Sequence, residues 1–417
     1  MSASRKQPAL PAACGAEVSR RRLLQGAAGG SAAVAAGTLG VPWLAAESKA
    51  GGPDELIPWR GPRQAGIVTP RTDHAFIAAF DIVDDDLPRL FQDLTGRVSE
   101  LTRGYPDRLD DIDNDALPPS DTGELGYDRR RDGRLTITIG LGASLFDKRF
   151  GLRGRRPRAL KRMPAFPVDN LDPDRSHGDL VVLAQAEHPM ICHHAIRDVL
   201  RRIKGRLQGR WGQACFQRAD PRKVDRPGIA AARGLLGFPD GSQNILPEDD
   251  ARIFTGAEEV DWARGGSYLA ARLIRLKLER WDRLSKTAQE GSMGREKLTG
   301  APLEGGREQD VPKLGEETPR DAHIRLANPR GPGDEQRRFL RRGLVYTGGF
   351  DDYGLLDSGS VFLAFCRDVL EQFEHSKRGM IGQDLDEYAV AFGGGYFYCP
   401  PGVRGRGDYL ARELVER

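Results

Sequence analysis

Gly237-Phe238-Pro239-Asp240-Gly241-Ser242-Gln243-Asn244 is the stretch on which the reading of this chain turns. Two glycines bracket a single carboxylate, and a proline stiffens the approach. Glycine adopts backbone angles closed to other residues, and proline fixes its own φ. Such a turn aims Asp240 into a cavity and lets the backbone at Gly241 come close to a flat ligand. Taken alone, it is more simply a surface turn whose Asp caps a helix. Two further segments change the balance. Asp321-Ala322-His323-Ile324-Arg325-Leu326-Ala327-Asn328-Pro329-Arg330 carries one of only seven histidines, flanked by apolar residues. Arg337-Arg338-Phe339-Leu340-Arg341-Arg342-Gly343 is a run of arginines that by itself reads as solvated surface.

Together the three segments resemble the dye-decolourising peroxidases. Gln64-Ala65-Gly66-Ile67-Val68-Thr69-Pro70 is similar to that family's opening strand, and Gly142–Asp147, His177–Leu180 and Gly393–Phe397 also match its pattern. The resemblance runs from about residue 58 to the C-terminus. It implies an α+β fold of two ferredoxin-like halves, dimeric α+β barrel-like, whose antiparallel sheets enclose one haem b. It also implies a peroxidase that reduces hydrogen peroxide and oxidises organic donors such as dyes and phenolics by one-electron steps through a ferryl intermediate.

The family pattern makes His323 the axial ligand of the haem iron and Asp240 the group that moves a proton between the peroxide oxygens. Arg341, first of the Arg-Arg-Gly triplet, stabilises the departing oxygen and faces a propionate. An always-charged guanidinium with a fixed fork of donors suits both tasks. Asn244 matches a residue at the distal edge, and Gly241 lies against the ring. Gly343 stands where some subgroups carry Asn. Phe362 and Phe365 either line the distal wall or pack the core. Arg325 either meets a propionate or lies on the surface. An axial imidazole normally donates its second N–H to an acceptor, and Asp384, Asp386 and Glu387 are the acids in the segment expected to supply one. Tyr388, Trp211, Trp262 and Trp281 are either packing residues or carriers of electrons to large donors. The resemblance leaves open two rivals, iron release from haem in iron uptake and haem binding or trafficking without catalysis. It also admits iron-uptake partner proteins and a homo-oligomer.

Composition fits a soluble globular protein, with 39% hydrophobic and 29% charged residues over 417 positions. The net charge of +3 is carried by residues 1–46, which hold five basic residues against Glu17; the remainder is at −1. That gives no electrostatic case for nucleic acid. Ser19-Arg20-Arg21-Arg22-Leu23-Leu24-Gln25, followed by an Ala/Gly-rich run to Ala46, resembles a twin-arginine export signal. The run is too weakly apolar for a stable membrane span. The expectation is a signal peptide over 1–46, a linker over 47–57, halves over 58–220 and 221–417, and a periplasmic or extracellular location. Five cysteines lack C-x-x-C spacing, which disfavours a zinc or redox pair; Cys192 and Cys366 read as buried thiols, and one disulfide among the four outside the leader stays open.

Periodicity supplies the elements. Strands are expected at 75–83, 135–139, 180–184, 266–276, 343–346 and 360–365, and helices at 87–100, 190–204, 277–287 and from 367 to 376. Loops rich in Gly, Pro and charge are expected at 104–134 and 290–320.

Overall fold

The computed structural model describes residues 56–103, 116, 122–125, 133–217, 219–220 and 231–416. The expected signal peptide, most of the expected linker, the 220/221 boundary and most of the 104–134 loop lie outside the described residues.

The first half runs β1 (His74–Ile82), α1 (Leu87–Leu101), β2 (Thr136–Gly142), β3 (Leu180–Ala186), α2 (Pro189–Arg202) and β4 (Leu207–Phe216). The second holds β5 (Ser267–Leu276), α3 (Lys286–Met293), α4 (His323–Ala327), β6 (Leu340–Arg341), β7 (Leu344–Phe350), β8 (Leu356–Cys366), α5 (His375–Gly379) and β9 (Ala389–Cys399). Within each half the main strands take the same spatial order: β4-β1-β3-β2, then β9-β5-β8-β7. Repetition of that order is the ferredoxin-like pattern. The halves join where β9 meets β2, at Phe397↔Gly142 and Tyr398↔Leu141, and where β7 meets β4, at Val345↔Phe216. All these pairings are antiparallel, and since β7 also pairs with β8 the sheet closes into a barrel.

Strand alternation then sorts the core into two layers. Ile77, Ala79, Val181, Leu183, Leu269, Ala271, Val361, Leu363, Phe365 and Phe397 form one cluster drawn from both halves, the barrel interior. The intervening residues, among them Phe80, Val182, Ala184, Ala270, Ala364 and Tyr396, pack outward with the helices. The apolar face of α1 (Leu87, Leu90, Phe91, Leu94, Val98) belongs to this outer layer, and Asp86 caps the helix by accepting from Arg89 N.

Several expectations need correction. Gln64–Pro70 is a turn, not a strand. Gly66 sits at φ 94°, and the Gln64 side chain acts in place of strand backbone: it donates to Ile139 O and Pro400 O and accepts from Ile139 N, each at 2.9 Å. The helix expected over 277–287 is two pieces, Leu278–Trp281 and α3, because Ser285 caps a new start by accepting from Ala288 N. The helix expected from 367 begins as a wide turn with π-type bonding over Val369–Glu374 before α5. Strand β4 escaped the periodicity because Gly209 and Gly212 interrupt it, and β9 because Gly393–Gly395 offer no side chains to alternate. The four described cysteines are free buried thiols, so none of them forms a disulfide.

Replacing Gln64 with Leu should cost about 2–4 kcal/mol in urea unfolding, since buried Ile139 N–H and carbonyl groups lose their partners. Acid should also act through His177. Burial, with Arg162 and Arg210 adding to it, pushes this imidazole down to about 4. The unfolded chain titrates near the usual value of about 6.5 and so binds more protons below it. The stability contribution is therefore complete above about pH 6.5 and lost as pH falls toward 4. In His177→Asn, whose side chain tolerates the local φ of 65°, unfolding free energy should depend less steeply on pH over that window.

Candidate functional site

The Gly237–Asn244 turn forms as its sequence requires. Gly237 and Gly241 stand at φ 86° and 90°, and Asn244 N donates to Gly241 O at 3.0 Å. No atom lies within 4 Å of the place a Cβ on Gly241 would take, which leaves its backbone open to a close-approaching ligand. The turn is tied to β6 by a reciprocal pair: Asn244 Nδ2 donates to Arg341 O at 2.8 Å and Arg341 N donates to Asn244 Oδ1 at 2.9 Å. Asn244 thus binds Arg341 through its main chain and leaves the guanidinium free.

The two-residue period of a strand separates Arg341 from Arg342. Arg341 lies opposite Ala364 on β8, so it shares the outer face with Ala364 and Phe362. Arg342 turns inward, donating to Thr69 O at 2.7 Å and Gln185 Oε1 at 3.0 Å, and burial pushes its pKa down to about 9. Arg337 and Arg338 pair with Asp334 and Glu335. Among the described residues the Arg341 guanidinium has no hydrogen-bond or ion-pair partner, and neither has the Asp240 carboxylate; both are half-buried. Asp240 Oδ2 is 3.1 Å from where a Cβ on Gly343 would stand, so a larger residue there presses on the carboxylate.

A third cation, Arg71, was not anticipated. Its Nη2 donates to Gly343 O at 2.9 Å, and it lies within electrostatic reach of Asp240 and Arg341. Burial lowers its pKa, with Asp240 opposing. The only sequence signal was an Arg directly after the Gln64–Pro70 segment expected as a strand.

His323 opens α4. It lies deep in the structure yet keeps part of its surface accessible, as a side chain facing a cavity does. Burial lowers its pKa, the bond to Gln383 opposes this, Arg341 and Lys377 lower it further, and Asp240 raises it. The imidazole, Asp240 and Arg341 therefore feel one another. The acceptor behind the imidazole is not an acid. His323 Nδ1 meets Gln383 Oε1 at 2.8 Å. Asp386 stands one bond further back, accepting from Gln383 Nε2 at 3.0 Å; Asp384 is bonded to Ser292; Glu387 is exposed. Gln383, between Gly382 and Asp384, carries no acid and so gives no signal at the sequence level.

Of the other expected residues, Phe362 is half-buried on the Arg341 face, in ring contact with Phe339 and Phe373. Phe365 belongs to the barrel interior and takes no part in the site. Arg325 binds the carbonyls of Gly315, Thr318 and Pro319, which satisfies it away from any propionate. Trp211, Trp262, Trp281 and Tyr388 are all at most 8% exposed, so none offers a ring directly to a large donor. Trp281 touches both Tyr388 and Phe238, the latter within the Asp240 turn. A surface cleft of about 460 Å³ walled by α1 and Tyr409–Arg412 contains none of the site residues.

The residues suit a haem. His323, with Nδ1 engaged, presents Nε2 to a metal. Arg341 and Arg330 are half-buried, and Arg295, lowered to about 10 by burial and by those two arginines, adds positive charge of the kind two propionates need. The outer-face Phe362 contributes an apolar wall.

Residues 64–217 match the family described as Dyp-type peroxidase, N-terminal, and residues 231–404 match Dyp-type peroxidase, C-terminal. The chain is 38% identical over 419 residues to a deferrochelatase of Shigella flexneri serotype 5b, covering 96% of this chain and 97% of the relative. The solved DyP-type peroxidase from Cellulomonas bogoriensis superposes with a TM-score of 0.77 at 32% identity, covering 88% of this chain and 100% of that one. Ferric DtpA from Streptomyces lividans gives 0.77 at 31% identity, covering 88% and 98%. With both halves matched and the fold shared, the chain belongs to the Dyp-type peroxidase family.

Proposed function

We propose that this chain is a haem-dependent peroxidase in which His323 is the axial ligand, Asp240 the proton carrier and Arg341 the stabiliser of the departing oxygen. The carrying observation is the pair of opposite, half-buried charges, Asp240 and Arg341, left without partners among the described residues and within reach of His323. Unpaired buried charges are costly and persist where a ligand is to be met. Bound haem supplies the redox-active iron and the ring through which electrons pass. The Asp240 carboxylate takes a proton from one peroxide oxygen and returns it to the other, which leaves as water. The Arg341 guanidinium, carried on a main chain clamped by Asn244, stabilises the negative charge that develops on the leaving oxygen. Two one-electron donors and two protons balance the conversion of one peroxide to two waters. Organic reductants such as phenols and dyes are the donors of this reading, and burial of the candidate aromatic rings favours those small enough to approach the pocket directly.

The same reading keeps the chain's organisation as 1–46 twin-arginine signal peptide, 47–57 linker, and halves 58–220 and 221–417, with export to the periplasm or beyond. Among the described residues no helix is long and apolar enough to cross a membrane. A second reading, iron release from haem in concert with iron-uptake partner proteins, is favoured by the identity to deferrochelatases over nearly the whole chain. Metal-free porphyrin appearing in anaerobic incubations with haem supports it; intact haem throughout removes it. Assembly as a homo-oligomer is compatible with either.

The deciding measurement is the absorption spectrum of the haem-loaded protein before and after one equivalent of peroxide. A rapid change of the Soret band supports the peroxidase, and a spectrum indifferent to peroxide overturns it. Arg341→Ala should slow that reaction by about 10²- to 10³-fold, with Asp240→Ala giving a smaller loss. Asn244→Asp keeps the acceptor for Arg341 N but loses the donor to Arg341 O, so stopped-flow rates should fall in the order wild type, Asn244→Asp, Asn244→Ala.

A further inference from the structure

The group behind His323 is an amide whose orientation is decided by its other end. Gln383 Nε2 donates to Asp386 Oδ1 at 3.0 Å, and Asp386 Oδ2 accepts from Gly382 N at 3.0 Å. A flipped amide would set its oxygen against the Asp386 carboxylate, acceptor against acceptor. Gln383 therefore turns Oε1 toward His323, at 2.8 Å from Nδ1. A carbonyl oxygen only accepts, so Nδ1 must carry the proton, and Nε2 is left with its lone pair. Gln383 is 8% exposed, and its main chain is held too, by Gln383 N to Met380 O at 3.1 Å and Asp386 N to Gln383 O at 3.0 Å.

We infer that Gln383, oriented by Asp386, is a positioning residue that fixes His323 in its Nδ1–H tautomer and places a neutral acceptor where a carboxylate would make the imidazole more electron-rich. This rests on the peroxidase reading only for its effect on the metal; the tautomer is a property of the protein alone. A charged acceptor forms a hydrogen bond roughly twice as strong as a neutral one, and the stronger bond draws the Nδ1 proton away and raises the basicity of the ligating nitrogen. Here the negative charge is kept one residue back, on Asp386. The imidazole gives less electron density than it would beside an acid, and the ferrous state becomes easier to reach.

The test exchanges the two functional groups without changing net charge. In the double substitution Gln383→Glu with Asp386→Asn, a carboxylate meets His323 and an amide donates to it from behind. The first readout is ¹⁵N NMR of the haem-free protein: His323 should be the Nδ1–H tautomer in the wild type and in the double variant, and a mixture in Gln383→Leu. An Nε2–H tautomer in the wild type overturns the assignment whether or not the protein is a peroxidase. The second readout is the reduction potential of the haem-loaded protein with the iron–histidine stretch of its ferrous form. The double variant should move the potential to more negative values and the stretch to higher frequency, while Gln383→Leu moves neither in that direction. An unchanged potential and stretch in a folded, haem-loaded double variant overturns the electronic role.

Discussion

Closure of two twisted four-stranded sheets into one barrel is the constraint on which the rest of this molecule depends. Each half alone would expose sheet edges and one apolar face. Joining β9 to β2 and β7 to β4 removes those edges and lets Ile77, Val181, Leu269, Val361 and Phe397 fill one interior from both halves. With the interior filled by side chains, no room is left there for a planar ligand. The site must form on the outer face, between the sheet and the segments that cover it. Phe362 and Arg341 lie on that face, and the Asp240 turn and the His323 helix are brought to it.

The site is assembled from distant segments by a few polar ties. Asn244 locks the Asp240 turn to β6, Arg71 reaches from the N-terminal turn to Gly343, and Gln383 reaches from the last covering segment to His323. Each tie uses main chain or an amide, which leaves the charged ends of Asp240 and Arg341 uncommitted. Most arginines nearby are treated differently: Arg337 and Arg338 are paired, Arg342 is spent on carbonyls and Gln185 at the barrel mouth, and Arg325 on a loop. Burying a cation against backbone carbonyls limits its desolvation cost without cancelling charge. Positive charge thus gathers around the Asp240 carboxylate, an arrangement matched to an anionic cofactor.

Much of this is legible in the sequence. The glycines at 237 and 241 announced a turn with positive φ, and that turn is present. The βαββαβ order of the first half followed from periodicity except for β4, where two glycines and exposed polar residues blur the alternation. Two departures come from the substitution of side chain for backbone or of one polar type for another: Gln64 imitates a strand, and Gln383 replaces an expected acid. Arg71 has a different reason, since it joins the site from a segment with no motif of its own.

The sequence by itself determined the family, the repeated α+β pattern and the residue types that bear chemistry, because turns, strand periods and short motifs are local properties of the chain. Only the tertiary structure decided which of neighbouring candidates face the site. Arg341 and Arg342 are adjacent and chemically identical, as are Phe362 and Phe365 in kind. What separates them is the face of the sheet on which each falls once β6 and β8 are in register. The partner of His323 was likewise settled by a contact across sixty residues, and the sense of that contact by Asp386, since a buried amide turns whichever end satisfies both of its neighbours.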